Sequence, residues 1–119
     1  MEKFANYLAA FDGTGEWTQI RPLFDDLFHR DCVVVTADGE LNKEQWAEMA
    51  KGLVENRATV SGFEVTGEED DALYYKLTVH VGEDDPLHMT AKGTVKDGQL
   101  VRVEPVDPAA YSRLVERSE

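Results

Sequence analysis

Residues 72–81 read Ala-Leu-Tyr-Tyr-Lys-Leu-Thr-Val-His-Val. Leu73, Tyr75, Leu77, Val79 and Val81 fall on one side of an extended chain; Tyr74, Lys76, Thr78 and His80 fall on the other. A period of two held this long marks a strand with one face buried and one face wet. Such a strand needs neighbours along its edges and a second layer over its apolar side. Residues 87–96 repeat the pattern, with Leu87, Met89, Ala91, Gly93 and Val95 against His88, Thr90, Lys92 and Thr94. Further strands are expected near 58–66 and 99–104, joined through Gly67–Asp71, Gly82–Pro86 and the hairpin signal Asp97-Gly98.

The covering layer comes from the first half of the chain. Phe4, Tyr7, Leu8 and Phe11 recur at helical spacing up to a turn at Asp12–Gly15. Trp17, Ile20, Leu23, Phe24, Leu27 and Phe28 mark a second helix, with Pro22 inside it as an expected kink. Cys32 to Thr36 reads as a buried strand and Asp38-Gly39 as a tight turn. Asn42 with Gln45 forms a capping box for a third helix, whose buried stripe is Trp46, Met49, Ala50, Leu53 and Val54. Asp107-Pro108 starts a last helix carrying Tyr111, Leu114 and Val115. Helices followed by an antiparallel meander argue an α+β fold, and 119 residues hold one core, so a single domain over 1–119 is expected.

Charge narrows the partners. Twelve Lys and Arg against twenty-four Asp and Glu give −12, which repels phosphate backbones and anionic headgroups. Nucleic acid and membrane are therefore not expected as partners. Cys32 is the only cysteine, which removes an intramolecular disulfide and reads as a buried, inert thiol. No apolar stretch suits a secretion signal or a membrane span, so the expected address is the cytoplasm.

The run Leu27-Phe28-His29-Arg30-Asp31-Cys32-Val33-Val34-Val35 takes a helix into a strand through a His-x-Asp corner. With the Asp38-Gly39 turn before the Asn42 helix, and Asp97-Gly98-Gln99-Leu100 before the last strand, this order resembles the nuclear-transport-factor-2-like superfamily. The likeness is to its SnoaL-type, polyketide-cyclase-like branch and covers residues 1 to about 106. It implies a cone: a curved antiparallel (mixed) sheet wrapped around three N-terminal helices, with a short C-terminal helix added and an apolar cavity inside. In the family that cavity houses isomerases, dehydratases and cyclases, or serves as a plain binding pocket or a dimeric adaptor, so fold does not choose the chemistry. The steroid-isomerase pattern does not carry over: its base falls at Thr36, its tyrosines at Phe28 and Ala50, and its second acid at Ala91. Without those carboxylates the proton shuttle has no parts.

Trp46, Met49, Phe63, Tyr75 and Met89 are the expected pocket walls, with Tyr7 and His29 as the polar, candidate catalytic groups. Tyr7 reads as a phenol donating to a ligand carbonyl or as a core tyrosine. His29 beside Asp31 reads as a general base or as the cap of the second helix's carboxyl end. A hairpin centred on Asp84 places His80 opposite His88, a pair short of the third ligand that zinc requires, so no metal and no cofactor is expected. Glu68–Asp71 and Glu83–Asp85 lack calcium-loop spacing and read as hairpin tips. Two functions stay open: acid–base chemistry of the isomerase, cyclase or dehydratase class on a small apolar substrate, or a non-catalytic ligand-binding or interaction module. A homodimer through the polar sheet face is expected, because Tyr74, Lys76, Thr78, His80, His88, Thr90, Lys92 and Thr94 include no acid.

Overall fold

The computed structural model describes residues 2–119. Helices α1 (Glu2–Ala9) and α2 (Trp17–Leu27) lead into strand β1 (Phe28–Thr36). A short β2 (Gly39–Asn42) precedes α3 (Lys43–Glu55). Then come β3 (Thr59–Glu69), β4 (Ala72–His80), β5 (Leu87–Lys96), β6 (Gln99–Pro105) and α4 (Pro108–Arg117). The strands form one curved, open sheet in the order β2-β1-β6-β5-β4-β3. Only β1–β6 is parallel; the other neighbours are antiparallel. This is the α+β architecture that the alternation and helical stripes require. No helix among the described residues is long and apolar enough to cross a membrane.

The alternation in β4 sets the faces. Tyr75 is 2% exposed, and Leu73, Leu77 and Val79 are buried with it, while Lys76 and His80 are exposed. Phe4, Tyr7, Phe24, Leu27, Met49 and Leu53 fill the space between helices and sheet in the same core. The capping box of α3 is complete: Gln45 N–H donates to Asn42 Oδ1, and Asn42 N–H to Gln45 Oε1, both at 2.9 Å. Asp97 and Gly98 both take positive φ, at 55° and 77°, as a two-residue primed turn between β5 and β6 demands.

Four local expectations need correction. The helix-to-strand corner is absent: α2 closes with Phe28 N–H on Phe24 O, and His29 already lies within β1. The irregularity appears instead as a bulge, since Phe28 pairs with Leu100 but Val33 with Arg102. The turn after β1 sits on Ala37 and Asp38, one residue earlier than expected, because Thr36 pairs with Gly39 to open β2. Thr36 Oγ1 holds that turn, donating to Gly39 O at 2.8 Å and accepting from Asp38 N–H at 3.2 Å. Phe11 lies beyond α1, where its carbonyl accepts from Val60 N–H. The β4–β5 hairpin is displaced by two residues: Thr78, not His80, faces His88. The cause is Gly82, which turns the chain early at φ 58°, with Asp84 N–H closing onto Val81 O. An even displacement keeps every side chain on its face.

Helix α4 packs over β1 and α3. Asp107 caps it, Oδ1 accepting from Ala109 N–H at 3.1 Å, and Pro108 takes the first position. Its far end is tied down: Asn56 Nδ2 donates to Arg117 O at 2.8 Å and to Glu119 O at 3.2 Å. Arg117 reaches across to Asp84 and donates to the carbonyl of Asp85.

Candidate functional site

Between the helices and the concave face of the sheet lies an apolar cavity of about 50 Å³. Helix α1 supplies Tyr7, α3 supplies Trp46 and Met49, β4 supplies Tyr75, β5 supplies Met89, and α4 closes the lining with Tyr111 and Leu114. The space admits a few water-sized centres, at about 10–15 Å³ each, and is well below the roughly 150 Å³ that admits benzene. The two methionines are the walls that can give way, being unbranched and free to change rotamer.

Five of the seven residues singled out in the sequence therefore meet at one cavity. Phe63 does not: it is partly buried behind the wall, its ring 4.9 Å from Phe4 and 6.1 Å from Tyr75. The register of β3 breaks between Ser61 and Glu64, beside Gly62 at φ 64°, and strict alternation does not survive that break. His29 is also absent from the lining. Its Nδ1 accepts the Asp31 backbone N–H at 3.0 Å, and Asp31 Oδ2 is 3.7 Å away. The nitrogen lone pair that a general base needs is thus already engaged. Nor does His29 cap α2, whose last turn ends before it.

The polar atoms of the cavity are phenols and an indole. Tyr75 Oη and Tyr111 Oη lie 3.4 Å apart, both buried. Burial drives the phenol of Tyr7 far above its ordinary value, with nearby Tyr111 adding to the effect, and does the same to Tyr75. Burial pushes Tyr111 up to about 12, against the opposing pull of its bond with Tyr75. Trp46 Nε1 is buried with no hydrogen-bond partner. Among the described residues, no charged side chain lines the space. Cys32 sits nearby in the core, off the lining, its thiol pushed up to about 12 by burial. The arrangement can donate hydrogen bonds and exclude water; it holds no group that exchanges a proton near neutral pH. Tyr111 escaped the sequence reading as a site residue because its only signal was helical spacing with Leu114.

On the outer face, Gly62, Lys76, Thr78, His88 and Thr90 line an open cleft of about 320 Å³. His88 Nδ1 is 3.0 Å from Thr78 Oγ1. The neighbouring strands add acids to this face: Glu64 lies 3.4 Å from Lys76, and Glu104 pairs in register with Lys92.

No family model matches the sequence, and no curated protein matches it. Solved structures do. A protein from Jannaschia sp. CCS1, provisionally named a SnoaL-like polyketide cyclase, superimposes with TM-score 0.67 at 14% identity, over 96% of this chain and 89% of that one. A second, provisionally named a polyketide cyclase, from Pseudomonas putida KT2440, gives 0.65 at 21% identity over 87% of each. A de novo designed protein with a curved β-sheet gives 0.65 at 15% identity, over 98% of this chain and 91% of that one. A designed chain in that company underlines that curvature and layering, not chemistry, are what is shared. The chain has the nuclear-transport-factor-2-like fold of SnoaL type.

Proposed function

We propose that the chain is a small-molecule pocket protein that binds its ligand without turning it over. One observation carries this reading: the cavity is lined by aromatic and aliphatic side chains, and every ionisable group in it is a phenol held neutral by burial. Acid–base catalysis of the isomerase, cyclase or dehydratase class needs a group poised near the working pH. His29, the residue in the sequence best suited to that role, is spent on a backbone N–H outside the lining. The names of the two cyclase-like structures support the pocket and not a reaction.

Xenon tests the pocket by itself, because it asks for volume and polarisability and nothing else. Under xenon pressure the methyl resonances of Met49, Leu53 and Met89 should shift, and those of residues outside the core should not. Unmoved methyls would show a core packed solid, and the pocket reading would fall.

The outer sheet face supports a second copy of the chain as partner. On a chain of charge −12, the described residues that line the cleft around Lys76, Thr78, His88 and Thr90 include no acid. Lys76 and Lys92, each beside an acid of a neighbouring strand, lower the like-charge repulsion that opposes pairing two such molecules.

A further inference from the structure

The elements that wall the cavity are not equally fixed. Strands β4 and β5 are paired along both edges. Helix α3 is buried along Trp46, Met49, Ala50, Leu53 and Val54. Helix α1 sets Phe4 against Phe63 and Tyr75, and Tyr7 against Phe24 and Phe28, with ring centroids 4.7 to 6.0 Å apart. Helix α4 has less to hold it. Its buried residues are Ala110, Tyr111 and Leu114, and Val106, which leads into it, is 76% exposed. A terminal element seated by two large side chains can open at a fraction of the cost of unfolding the core.

Polar contacts supply the rest of the hold, and they lie towards solvent. Arg117 reaches Asp84 at 3.8 Å, an aspartate whose side chain is 62% exposed, and donates to the carbonyl of Asp85. Asn56 Nδ2 donates to Arg117 O and Glu119 O, and Ser112 Oγ accepts the Ala37 N–H at 3.1 Å. Each of these bonds can be exchanged for one to water, so its net hold is small. The seat is nonetheless specific: Gly52 leaves room for the Ser118 carbonyl where a Cβ would otherwise stand. Val106 N–H stays on Thr90 O at 2.8 Å, which puts the pivot after it, at Asp107.

Resting on the pocket reading above, we propose that α4 is a lid hinged at Asp107. Ligand enters when the helix lifts from Gly52 and Asn56 and takes Tyr111 and Leu114 out of the cavity wall. The closed space of about 50 Å³ is small for an organic ligand, and the departure of those two side chains enlarges it.

Native-state amide exchange at low urea concentrations tests this, together with thiol labelling of Met89→Cys in a Cys32→Ala background. Met89 lines the cavity and is buried. The amides of Tyr111 and Leu114 should exchange at least about tenfold faster than those of Tyr75 and Ala91, with little dependence on urea, because a small opening exposes little surface. The introduced thiol should react with methyl methanethiosulfonate through the same opening. Asn56→Ala and Arg117→Ala should each raise both rates roughly tenfold and leave Tyr75 and Ala91 unchanged. Should Met89→Cys unfold, exchange in the unsubstituted chain decides alone. Exchange of α4 only together with the core, at one urea dependence, would overturn the lid. So would variants that speed the α4 amides and leave the thiol as slow as before, since the helix would then fray without opening the cavity. The xenon result bears on the pocket and these rates on the lid, so the two readings fail separately.

Discussion

The hydroxyls of Tyr75 and Tyr111 meet at 3.4 Å inside the core, joining the middle of β4 to the C-terminal helix. Removing either partner strands the other in an apolar setting, so Tyr75→Phe and Tyr111→Phe should each cost about 1–2 kcal/mol in denaturant unfolding. The double variant should cost less than the two singles together, because neither hydroxyl is then left alone. Strict additivity would mean that the pair does not interact.

Alkaline pH should attack the same region. The folded-state phenols of Tyr7, Tyr75 and Tyr111 are raised above the unfolded value of 10.0. Their contribution to stability is therefore complete below pH 10 and is lost as pH rises, for Tyr111 up to about 12. Each phenol should remove about 1.4 kcal/mol per pH unit over its window. Unfolding free energies measured stepwise above pH 10 would show this, with tyrosinate absorbance from the three buried rings appearing only on unfolding. Early ionisation of all four tyrosines would contradict it.

Gly52 is where α3 and the end of α4 touch. A methyl group there would come within 2.0 Å of the Ser118 carbonyl oxygen, a backbone atom that cannot swing aside. In a helix interior Gly→Ala ordinarily stabilises, by up to about 1 kcal/mol. Here Gly52→Ala should instead destabilise by about 1–3 kcal/mol and loosen α4, read as faster amide exchange at Tyr111 and Leu114. A stabilised variant would show that α4 shifts freely.

For His29 the expectation separates structure from binding. His29→Ala leaves the Asp31 N–H without its acceptor and should lower stability by about 1–2 kcal/mol. Xenon uptake should not change, because the ring is off the cavity lining. Loss of binding in a stable variant would return His29 to the site.

Association through the outer sheet face should show as a dimer in light scattering at about pH 8 that Lys76→Glu weakens, by adding an acid to that face on both copies. A monomer at high concentration would exclude the dimer; a Lys76→Glu variant that dimerises as well as the wild type would place its interface elsewhere.

The faces of β4 and β5 could be read from the chain because alternation is a local property, and burial follows it residue by residue. Their offset could not. The stretch Gly82–Pro86 offers several turn centres, and only the early turn at Gly82 chooses among them. Strand β2 was invisible for another reason: Gly39–Asn42 is short, polar and largely exposed, held by pairing with β1 and not by burial. Of the cavity lining, Tyr7, Trp46, Met49, Tyr75 and Met89 could be read from helical or strand periodicity. Phe63 lies off that lining, beside a bulge that resets the period of β3, and His29 lies off it with its ring turned back to the Asp31 N–H. The Tyr75–Tyr111 contact, spanning β4 and α4, leaves no mark on either segment.

The parallel pairing of β1 with β6 has a kinetic side. Phe28 must find Leu100, and Val34 must find Val103, before the sheet becomes continuous. Until that last strand is made, the β3–β4–β5 meander stays unjoined to β1 and β2, and the apolar stripes of the helices are only partly covered. Contacts so distant along the chain make closure a late event governed by loop entropy, in the slow range typical of sheet-rich domains. The nascent chain therefore passes through its most adhesive state just before β6 is available, and the strand that completes the fold also ends that exposure.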